Sequence, residues 1–473
     1  MAIDASPHKP AVAASVGSPA HRVEEPPGVC EGMATQEAPR AGVSFETDEE
    51  TSLILSSLKE FLKREVEPLE DDLGETWSNP RKRHEVDGRL VPEVRKAIET
   101  VRKRSAEAGF YAMNLPEEVG GEGVSNVTWY RAIKHVAATG PGLSEYVLAG
   151  PEGPKPLLAQ AEGEQVERYL EPCIRGEKST AFAQTEPGVG SDSPNMSTTA
   201  EKDTAGQSPA GPAVPEAQQD TAEQSSASPA STEATQDGDE WVLNGHKQWI
   251  TNAPYADFVQ VFARTSPVEE MGRYGGITCF IVEADEYEVA SLNNAVGMTG
   301  MQGEIVLDDV RLSDDRVLGT EDGAFYDAME FLSLGRLEIG ARALGHTEFL
   351  VDRGVDYATE REAFGRPIGK FQGVSHKLAR ARADAFAADA AALRLAWLMD
   401  DGKQAIEESS IVKYLATNVM FDVADDVVQV HGGDGLSEDN PFMQELETAR
   451  ILRIVEGTDE IQLNTIAKEL GVM

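Results

Sequence analysis

The spacing of apolar residues changes twice along the chain, and this change constrains the fold more than any other feature. Apolar residues recur at helical spacing over 49–69 and again from about residue 324 onward. Between these segments, short apolar or alternating runs bounded by Gly, Asn, Asp and Pro predict β-strands. The predicted strands are 181–183, 241–243, 258–263, 276–282 and 304–307. Because helices and strands do not alternate, a Rossmann sheet is excluded.

The order of these patterns predicts an α+β multidomain protein. An N-terminal all-α domain at 46–180 is expected to precede a small central β-sandwich or barrel domain at 181–318, and a C-terminal four-helix bundle is expected at 319–473. Three domains agree with a length of 473 residues, since a domain averages roughly 150 residues. The predicted C-terminal helices are about 324–358, 371–400, 404–431 and 458–470.

Two stretches lack the composition of a packed core. Residues 1–45 are rich in Ala, Pro, Gly and Glu without periodicity, and we interpret them as a disordered tail. The stretch at about 203–239 contains no Lys or Arg and almost no large hydrophobic residue. It cannot bury enough apolar surface to offset its ordering entropy, so we interpret it as a disordered insert between two strands.

The balance of charges limits the partners. Asp and Glu number 82 against 42 Lys and Arg, which gives a formal net charge of −40. Binding to nucleic acid or to an anionic membrane surface needs clustered basic residues, so neither is expected. Acidic excess with 26 Arg and only 16 Lys favours the hypothesis of a protein solvated in a salt-accumulating cytoplasm, where screening weakens self-repulsion.

The number of cysteines and the lack of long apolar runs indicate the cellular compartment. The three cysteines, Cys30, Cys173 and Cys279, are odd in number and widely spaced, so neither a disulfide framework nor a cysteine metal site is expected. We expect Cys279, which lies in an apolar run, to be a buried small hydrophobe. No run is long enough to span a membrane and the first residues lack a signal-peptide pattern, so a cytoplasmic protein is expected.

Two runs in the β region combine small polar residues with glycine. The run 184–192 contains two glycines and a proline and would expose backbone N–H groups and hydroxyls, although an ordinary strand-to-strand turn explains it equally well. The run 244–253 begins with Asn244-Gly245, a hairpin signal. If it is a strand, Trp249 and Thr251 share a face that offers a ring and a hydroxyl to a planar ligand. The alternative is a Trp packed in the core.

Together with five further motifs, these runs resemble the acyl-CoA dehydrogenase family of flavoproteins. The resemblance covers about 46–470 apart from 203–239. Seven motifs occur in the expected order: 115–121 (LPEEVGG), 185–192 (TEPGVGSD), 249–252 (WITN), 357–365 (YATEREAFG), 371–372 (FQ), 429–435 (QVHGGDG) and 456–458 (EGT). One such motif is weak evidence, whereas seven in order are strong.

The resemblance implies FAD as the cofactor and assigns residues to it. The implied FAD-binding residues are Thr185, Ser191, Trp249, Thr251, Arg361, Phe364, Gln372, Gln429, Gly432, Gly433 and Thr458. Thr458 would also cap the start of the last helix near the FAD. Arg361 and Phe364 would come from a neighbouring subunit, which implies a homodimer at least and commonly a homotetramer built as a dimer of dimers. Arg361 suits a pyrophosphate because its planar fork binds phosphate with two donors. Its alternative is a helix-surface arginine paired with Glu360 or Glu362.

The resemblance also implies a catalytic base and a substrate site. Glu456 would remove the α proton of an acyl-CoA thioester, with Ser191, Arg336 and Gly457 binding the substrate. Without the family, an acid at a helix N-terminus is the better interpretation of Glu456. Some members carry the base one residue before an arginine that matches Arg336, but Gly335 stands there in this chain, so no second carboxylate competes.

The implied function is FAD-dependent α,β-dehydrogenation to a trans-2-enoyl-CoA, with electrons passed to an electron-transfer flavoprotein. The alternative within flavin chemistry is an acyl-CoA oxidase or a flavin monooxygenase that uses dioxygen, and a non-catalytic scaffold with the same fold is a third hypothesis.

At two places the chain departs from residues that are frequent in the family, and these differences bear on the choice of substrate and on the local support of the site. Glu447-Thr448 replaces a frequent Arg-Asp pair, and Ser333 replaces a frequent acid. The sequence does not indicate the length or branching of the acyl group.

Overall fold

The computed structural model describes residues 46–202, 240–296 and 298–473. The predicted tail at 1–45 and the predicted insert at 203–239 lie outside the described residues. In the part that is described, helices come first, a sheet follows and helices return, which confirms the predicted fold class. None of the described helices is long and apolar enough to cross a membrane.

The N-terminal domain is helical. Its α-helices are α1 (Glu49–Phe61), α2 (Glu67–Leu73), α3 (Glu75–Ser78), α4 (Pro92–Glu107), α5 (Asn126–Ala137) and α6 (Glu171–Ile174), with π-helical turns at Leu62–Val66 and Val166–Leu170. α1 begins where the sequence provides a cap, since the carboxylate of Asp48 accepts a hydrogen bond from the Thr51 N–H at 2.7 Å. Leu58, Phe61 and Val66 face the core, as the helical spacing over 49–69 predicts.

The β domain contains one mixed sheet. Its strands are β1 (Thr180–Ala183), β2 (Thr199–Lys202), β3 (Glu240–Thr251), β4 (Phe258–Arg264), β5 (Ile277–Glu283), β6 (Glu288–Asn293), β7 (Gln302–Ser313) and β8 (Val317–Leu318), with a short helix α7 (Val268–Met271) between β4 and β5. The strand order is β6-β7-β3-β2-β4-β5-β8, and β1 pairs in parallel with β4. All five predicted strands are confirmed, and Cys279 is buried in β5 as expected.

The C-terminal domain is built on three long helices. Its helices are α8 (Ala324–Glu330), α9 (Leu332–Glu360), α10 (Gln372–Asp400), α11 (Ile406–His431), α12 (Phe442–Leu452) and α13 (Asp459–Glu469), with a two-stranded hairpin of β9 (Glu362–Ala363) and β10 (Arg366–Pro367) between α9 and α10. α5 of the first domain packs closely against α9, because a β carbon on Gly345 would lie 2.5 Å from that of Ala137. α9 therefore packs against the N-terminal domain as well as against the other helices of its own domain.

Two local predictions are wrong and one helix was missed. The predicted helix 324–358 is two helices with a break at Phe331, and α12 lies in a stretch for which no helix was predicted. Asn244-Gly245 does not form a hairpin turn but lies inside β3, at a register shift against β7. There the Asn244 side chain makes two hydrogen bonds with Asp309 of β7. Its amide nitrogen donates to the Asp309 carboxylate, and its oxygen accepts from the Asp309 main-chain N–H. Asn244 therefore bridges two strands at an irregular point of the sheet instead of forming a turn.

Candidate functional site

Glu456 lies in the loop between α12 and α13, in a backbone conformation that side chains rarely adopt. The φ angles of Glu456 and Gly457 are 54° and 89°. Thr458 then caps α13, as predicted, because its hydroxyl accepts a hydrogen bond from the Ile461 N–H. The Glu456 carboxylate oxygen Oε2 lies 3.3 Å from the position that a β carbon on Gly335 would take. The structure thus brings together Glu456, the site of the alternative base and the adjoining Arg336.

Two buried side chains hold the carbonyl groups of this loop. The Lys413 ammonium of α11 donates to the Gly457 carbonyl at 2.7 Å. The Gln462 amide of α13 donates to the carbonyls of Glu456 and Gly457 at 3.0 and 2.9 Å. Lys413 and Gln462 are both 0% exposed. A left-handed non-glycine residue costs conformational energy and persists only where its surroundings determine it, so these hydrogen bonds fix the orientation of Glu456.

The charges around Glu456 have opposing effects. Glu456 is an exposed residue, yet the protein atoms around its carboxyl desolvate it and raise its pKa above the ordinary value. Lys155 is the cation that most opposes this rise, followed by Arg336 and Lys413, whereas the Glu338 carboxylate adds to it. A carboxyl with a raised pKa is a better proton acceptor once ionised.

Arg336 is buried beside the loop. Its Nη1 donates to the Ser410 and Ser409 hydroxyls at 2.9 and 3.3 Å, and its Nε has no partner in the described residues. Burial lowers the pKa of Arg336 to about 10. The same effect lowers the pKa of Lys413 to about 8. Both groups remain cationic near neutral pH and so balance a carboxylate at Glu456.

A partly buried ion pair between residues of two domains lies next to this group and was not predicted. The Lys155 ammonium is 2.6 Å from Glu338 Oε2, and the Trp129 indole N–H donates to Glu338 Oε1 at 3.0 Å. Lys155 lies in the N-terminal domain, and Glu338 lies on α9 one turn beyond Gly335. Glu338 lies within the predicted helix 324–358, but its partner is 183 positions away in the sequence, so the pair has no local signal.

The turn at 184–192 is anchored by a second buried ion pair. Glu186 Oε1 is 2.8 Å from the Lys247 ammonium of β3, and both side chains are almost fully buried. Burial opposes ionisation of Glu186, but Lys247 and the hydrogen bonds from Ser197 and Thr198 outweigh it and lower the pKa of Glu186 to about 2. The pair fixes Thr185 on the turn, whose carbonyl accepts from the Gln248 N–H at 2.9 Å. Ser191 lies further along the turn and is exposed.

Trp249 departs from the predicted strand geometry. Its φ of 62° coincides with a register shift between Lys247 and Ile250, so the strand is irregular at this residue. The ring is 49% exposed, so the core alternative is wrong. The main-chain N–H of Trp249 donates to Asn293 Oδ1 at 3.0 Å. The Thr251 hydroxyl accepts a hydrogen bond from the Gln302 side-chain amide at 3.3 Å. The bulge therefore presents the indole to solvent.

The remaining predicted FAD residues form a second group on the C-terminal domain. Arg361 and Phe364 lie at the end of α9 and in the hairpin, and Gln372 is the first residue of α10. Phe364 is 94% exposed with a φ of 52°. In the described residues no ion pair joins Arg361 to Glu360 or Glu362, so that alternative is not supported.

Gln429, Gly432 and Gly433 lie at the end of α11 and are exposed. They neighbour the Arg361 segment through Tyr357, whose hydroxyl donates to the His431 carbonyl at 3.3 Å and whose own carbonyl accepts from the Arg361 N–H. His431 itself is buried between two rings, which supports a structural role. Within the described part of the chain, no hydrogen bond or ion pair links this second group to Thr185 or Trp249.

The chain is similar to known proteins along most of its length. Models of the acyl-CoA dehydrogenase N-terminal, middle and C-terminal domains match 48–177, 218–310 and 322–471. A 3-(aryl)acrylate reductase of Clostridium sporogenes is 32% identical over 427 residues, which are 89% of this chain and 98% of the relative. A subunit of the caffeyl-CoA reductase–Etf complex of Acetobacterium woodii is 29% identical over 382 residues, 80% of this chain and 91% of the relative.

The fold of the chain is also similar to that of solved structures from the same family. The butyryl-CoA dehydrogenase from Megasphaera elsdenii superimposes with a TM-score of 0.71 at 25% identity and covers 90% of this chain and 99% of its own. The chain therefore belongs to the acyl-CoA dehydrogenase family. Members of this family are FAD-dependent oxidoreductases that act on a CH–CH bond. The boundaries 46–180, 181–318 and 319–473 stay predictions.

The residues present fit a flavin nucleotide. Trp249 offers an exposed ring, and the buried Gln184 amide nitrogen has no partner in the described residues. A β carbon on Gly188, Gly190, Gly432 or Gly433 would meet nothing within 4 Å, so the backbone there is open to a ligand. Among the described residues no group of three His, Cys, Asp or Glu is placed to hold a metal ion.

Proposed function

We propose that this protein is an FAD-dependent acyl-CoA dehydrogenase in which Glu456 exchanges the α proton of the thioester and the product is a trans-2-enoyl-CoA. The observation that carries the proposal is the position of Glu456. Its carboxyl has a raised pKa, is held in a left-handed loop by Lys413 and Gln462, and lies against Gly335 beside Arg336. A base of this kind, oriented before substrate binds, is what removal of a weakly acidic α proton requires.

Bound FAD supplies the acceptor for the β hydride. Thr185, Ser191, Trp249 and Thr251 would hold it from one subunit, with Thr458 near its edge. The exposed group on the C-terminal domain would hold the nucleotide end from a partner subunit, with donors and open glycines suited to phosphate and adenosine. This second group comprises Arg361, Phe364, Gln372, Gln429, Gly432 and Gly433. An FAD site shared between two subunits requires at least a homodimer. The expected homotetramer would be a dimer of such dimers.

Arg336, Gly457 and Ser191 would contact the substrate. Arg336 is buried and cationic, so it would keep Glu456 oriented and offset the negative charge that develops on the thioester. Glu456 accepts the α proton at its carboxylate and, in the opposite direction, returns it. The aryl-acrylate and caffeyl-CoA relatives carry the name of reductases, and the same residue would serve either direction because proton transfer is reversible.

An electron-transfer flavoprotein is the proposed redox partner, supported by the relative that belongs to a reductase–Etf complex. A panel of acyl-CoA thioesters of varied length and branching, added anaerobically to the purified protein, tests the function. We expect at least one thioester to bleach the flavin, and an artificial dye to be reduced in air without matching hydrogen peroxide. Stoichiometric peroxide would instead identify an oxidase, and a protein that binds no FAD would rule out the dehydrogenase.

We further propose that the protein works in a cytoplasm with high salt, as its net charge of −40 suggests. Surface carboxylates repel one another strongly when screening is weak. We therefore expect activity and thermal stability to fall when the salt concentration is lowered from molar to about 0.1 M, where the Debye length is about 10 Å. Measurement of flavin retention and melting temperature across this range checks the expectation. Unchanged values at low salt would contradict it.

A further inference from the structure

The main chain at Trp249 lies outside the pairing of its own strand. β3 pairs with β7 as far as Lys247 and again from Ile250, but no described residue of β7 pairs with Gln248 or Trp249. The Gln248 N–H donates instead to the Thr185 carbonyl at 2.9 Å. A main-chain N–H that leaves a sheet ladder needs an acceptor elsewhere. The Trp249 N–H therefore depends on a group outside this strand pair.

Asn293 supplies this acceptor from a strand that is not a neighbour of β3. It is the last residue of β6, and in the sheet order β7 lies between β6 and β3. Gln302 of β7 is opposite Asn293 on one side and opposite Thr251 on the other. The Asn293 side chain reaches past β7, and its Oδ1 accepts the hydrogen bond from the Trp249 N–H at 3.0 Å. Asn293 is only 7% exposed, so this bond is largely shielded from water.

Trp249 needs such a contact because its main-chain conformation is unfavourable. Its φ of 62° lies in the left-handed region, which bulky residues rarely adopt and which persists only where the surroundings determine it. Burial does not determine it, since about half of the residue is exposed. Beyond it, Asn252 also has a positive φ, and its N–H donates to the Met301 carbonyl at 2.7 Å. The irregular segment is thus held by β7 at Asn252 and by the Asn293 side chain at Trp249.

We propose that Asn293 is a positioning residue for the flavin, because it holds the main chain at Trp249 and so directs the indole toward the FAD ring. The inference rests on the proposed function, in which Trp249 stacks beside FAD. Aromatic rings attract one another only at particular offsets and separations, so a small displacement of the main chain would weaken the contact. Asn293 acts through Trp249 and is not among the residues that the family resemblance assigns to FAD.

A purely structural role for Asn293 makes a different prediction. The Asn293 carbonyl accepts from the Ala295 N–H at 2.9 Å, so the residue also begins the turn after β6. If its side chain served only the edge of the sheet, its removal would lower the melting temperature and leave the affinity for FAD unchanged. A positioning role instead links the effect on FAD to the presence of the Trp249 ring.

The affinity for FAD tests the inference. Asn293→Leu and Asn293→Ala both remove the acceptor, whereas Asn293→Asp keeps an acceptor oxygen in a side chain of the same length. The FAD-loaded proteins are diluted stepwise, and the fraction of FAD set free, seen as flavin fluorescence, gives the Kd. We expect Asn293→Leu and Asn293→Ala to raise the Kd by about tenfold, the size of one aromatic contact. Asn293→Asp is expected to raise it less than either. Asn294→Leu, at the exposed neighbouring asparagine, is the matched control.

The same substitution in a Trp249→Ala protein shows whether Asn293 acts through the indole. The ring is absent there, so Asn293→Leu is expected to change the Kd by less than about twofold. An increase by the same factor with and without the ring would contradict the assignment, as would an unchanged Kd for Asn293→Leu and Asn293→Ala in the presence of the ring. If the wild-type protein binds no FAD, the proposed function fails; if it binds FAD and only these differences are missing, the inference alone fails.

Discussion

Glu456→Gln is expected to abolish flavin reduction by acyl-CoA while the protein keeps its fold and its FAD. The amide has the size of the carboxyl but cannot accept the α proton, so the rate is expected to fall by about 10³-fold or more. Stopped-flow bleaching under anaerobic conditions measures this rate. The neighbouring loop contacts use main-chain carbonyls of residues 456 and 457, so they survive the substitution.

Glu460→Gln is the matched control, since Glu460 is exposed in the first turn of α13. It is expected to bleach at the wild-type rate. Reduction of the Glu456→Gln flavin at that same rate would show that another group exchanges the proton. In the wild-type protein the rate is expected to fall as the pH drops through the pKa of Glu456, because only the ionised carboxylate accepts a proton. Desolvation by the surrounding protein places this pKa above the ordinary value for glutamate.

Lys413→Met is expected to have the second largest effect, through the position of the base rather than the chemistry. Methionine fills similar volume but leaves the Gly457 carbonyl with the Gln462 amide as its remaining donor. A hydrogen bond from a charged donor contributes about 1.5–3 kcal/mol, and its loss lets the loop leave its left-handed conformation. We expect kcat to fall by about 10- to 100-fold with FAD still bound. Single-turnover kinetics and the visible spectrum measure both quantities.

The pH profile distinguishes this role from simple loss of stability. The Lys413 ammonium favours the ionised form of Glu456, so its removal is expected to shift the acid limb of the profile to higher pH. Gln462→Leu removes the other donor without a change of charge and is expected to lower kcat without that shift. Lys403→Met, on the exposed loop before α11, is the control. A Lys413→Met protein with unchanged kcat and pH profile would show that the loop does not need this lysine.

The elements that the sequence predicted correctly are those whose signal is local. The run 258–263 is apolar without a break because both faces of β4 are buried, and Thr458 precedes an acidic first turn because it caps α13. Asn244-Gly245 has the same local signal as a hairpin, yet its side chain pairs with Asp309 across the sheet. Pairing between distant strands outweighed the local preference there.

The parts of the site that escaped prediction depend on distant residues. The bulge that exposes Trp249 is a mismatch between β3 and β7, and neither strand shows it alone. Lys155 and Glu338 meet only because α9 packs against the N-terminal domain. Lys413 was visible as a lysine between apolar residues of a predicted helix, but its acceptor is a carbonyl in a loop 44 positions away. The sequence motifs thus indicated which residues matter, and the tertiary packing determines how Glu456 is held.

Exchange of the α proton tests the role of Glu456 most directly. The FAD-loaded wild-type protein is incubated anaerobically in D₂O with an acyl-CoA thioester that bleaches its flavin, and deuterium at the α carbon of the recovered thioester is measured by mass spectrometry. We predict steady incorporation by the wild-type protein and the Glu460→Gln control, and none above the protein-free rate by Glu456→Gln. Equal incorporation by wild type and Glu456→Gln would contradict the account.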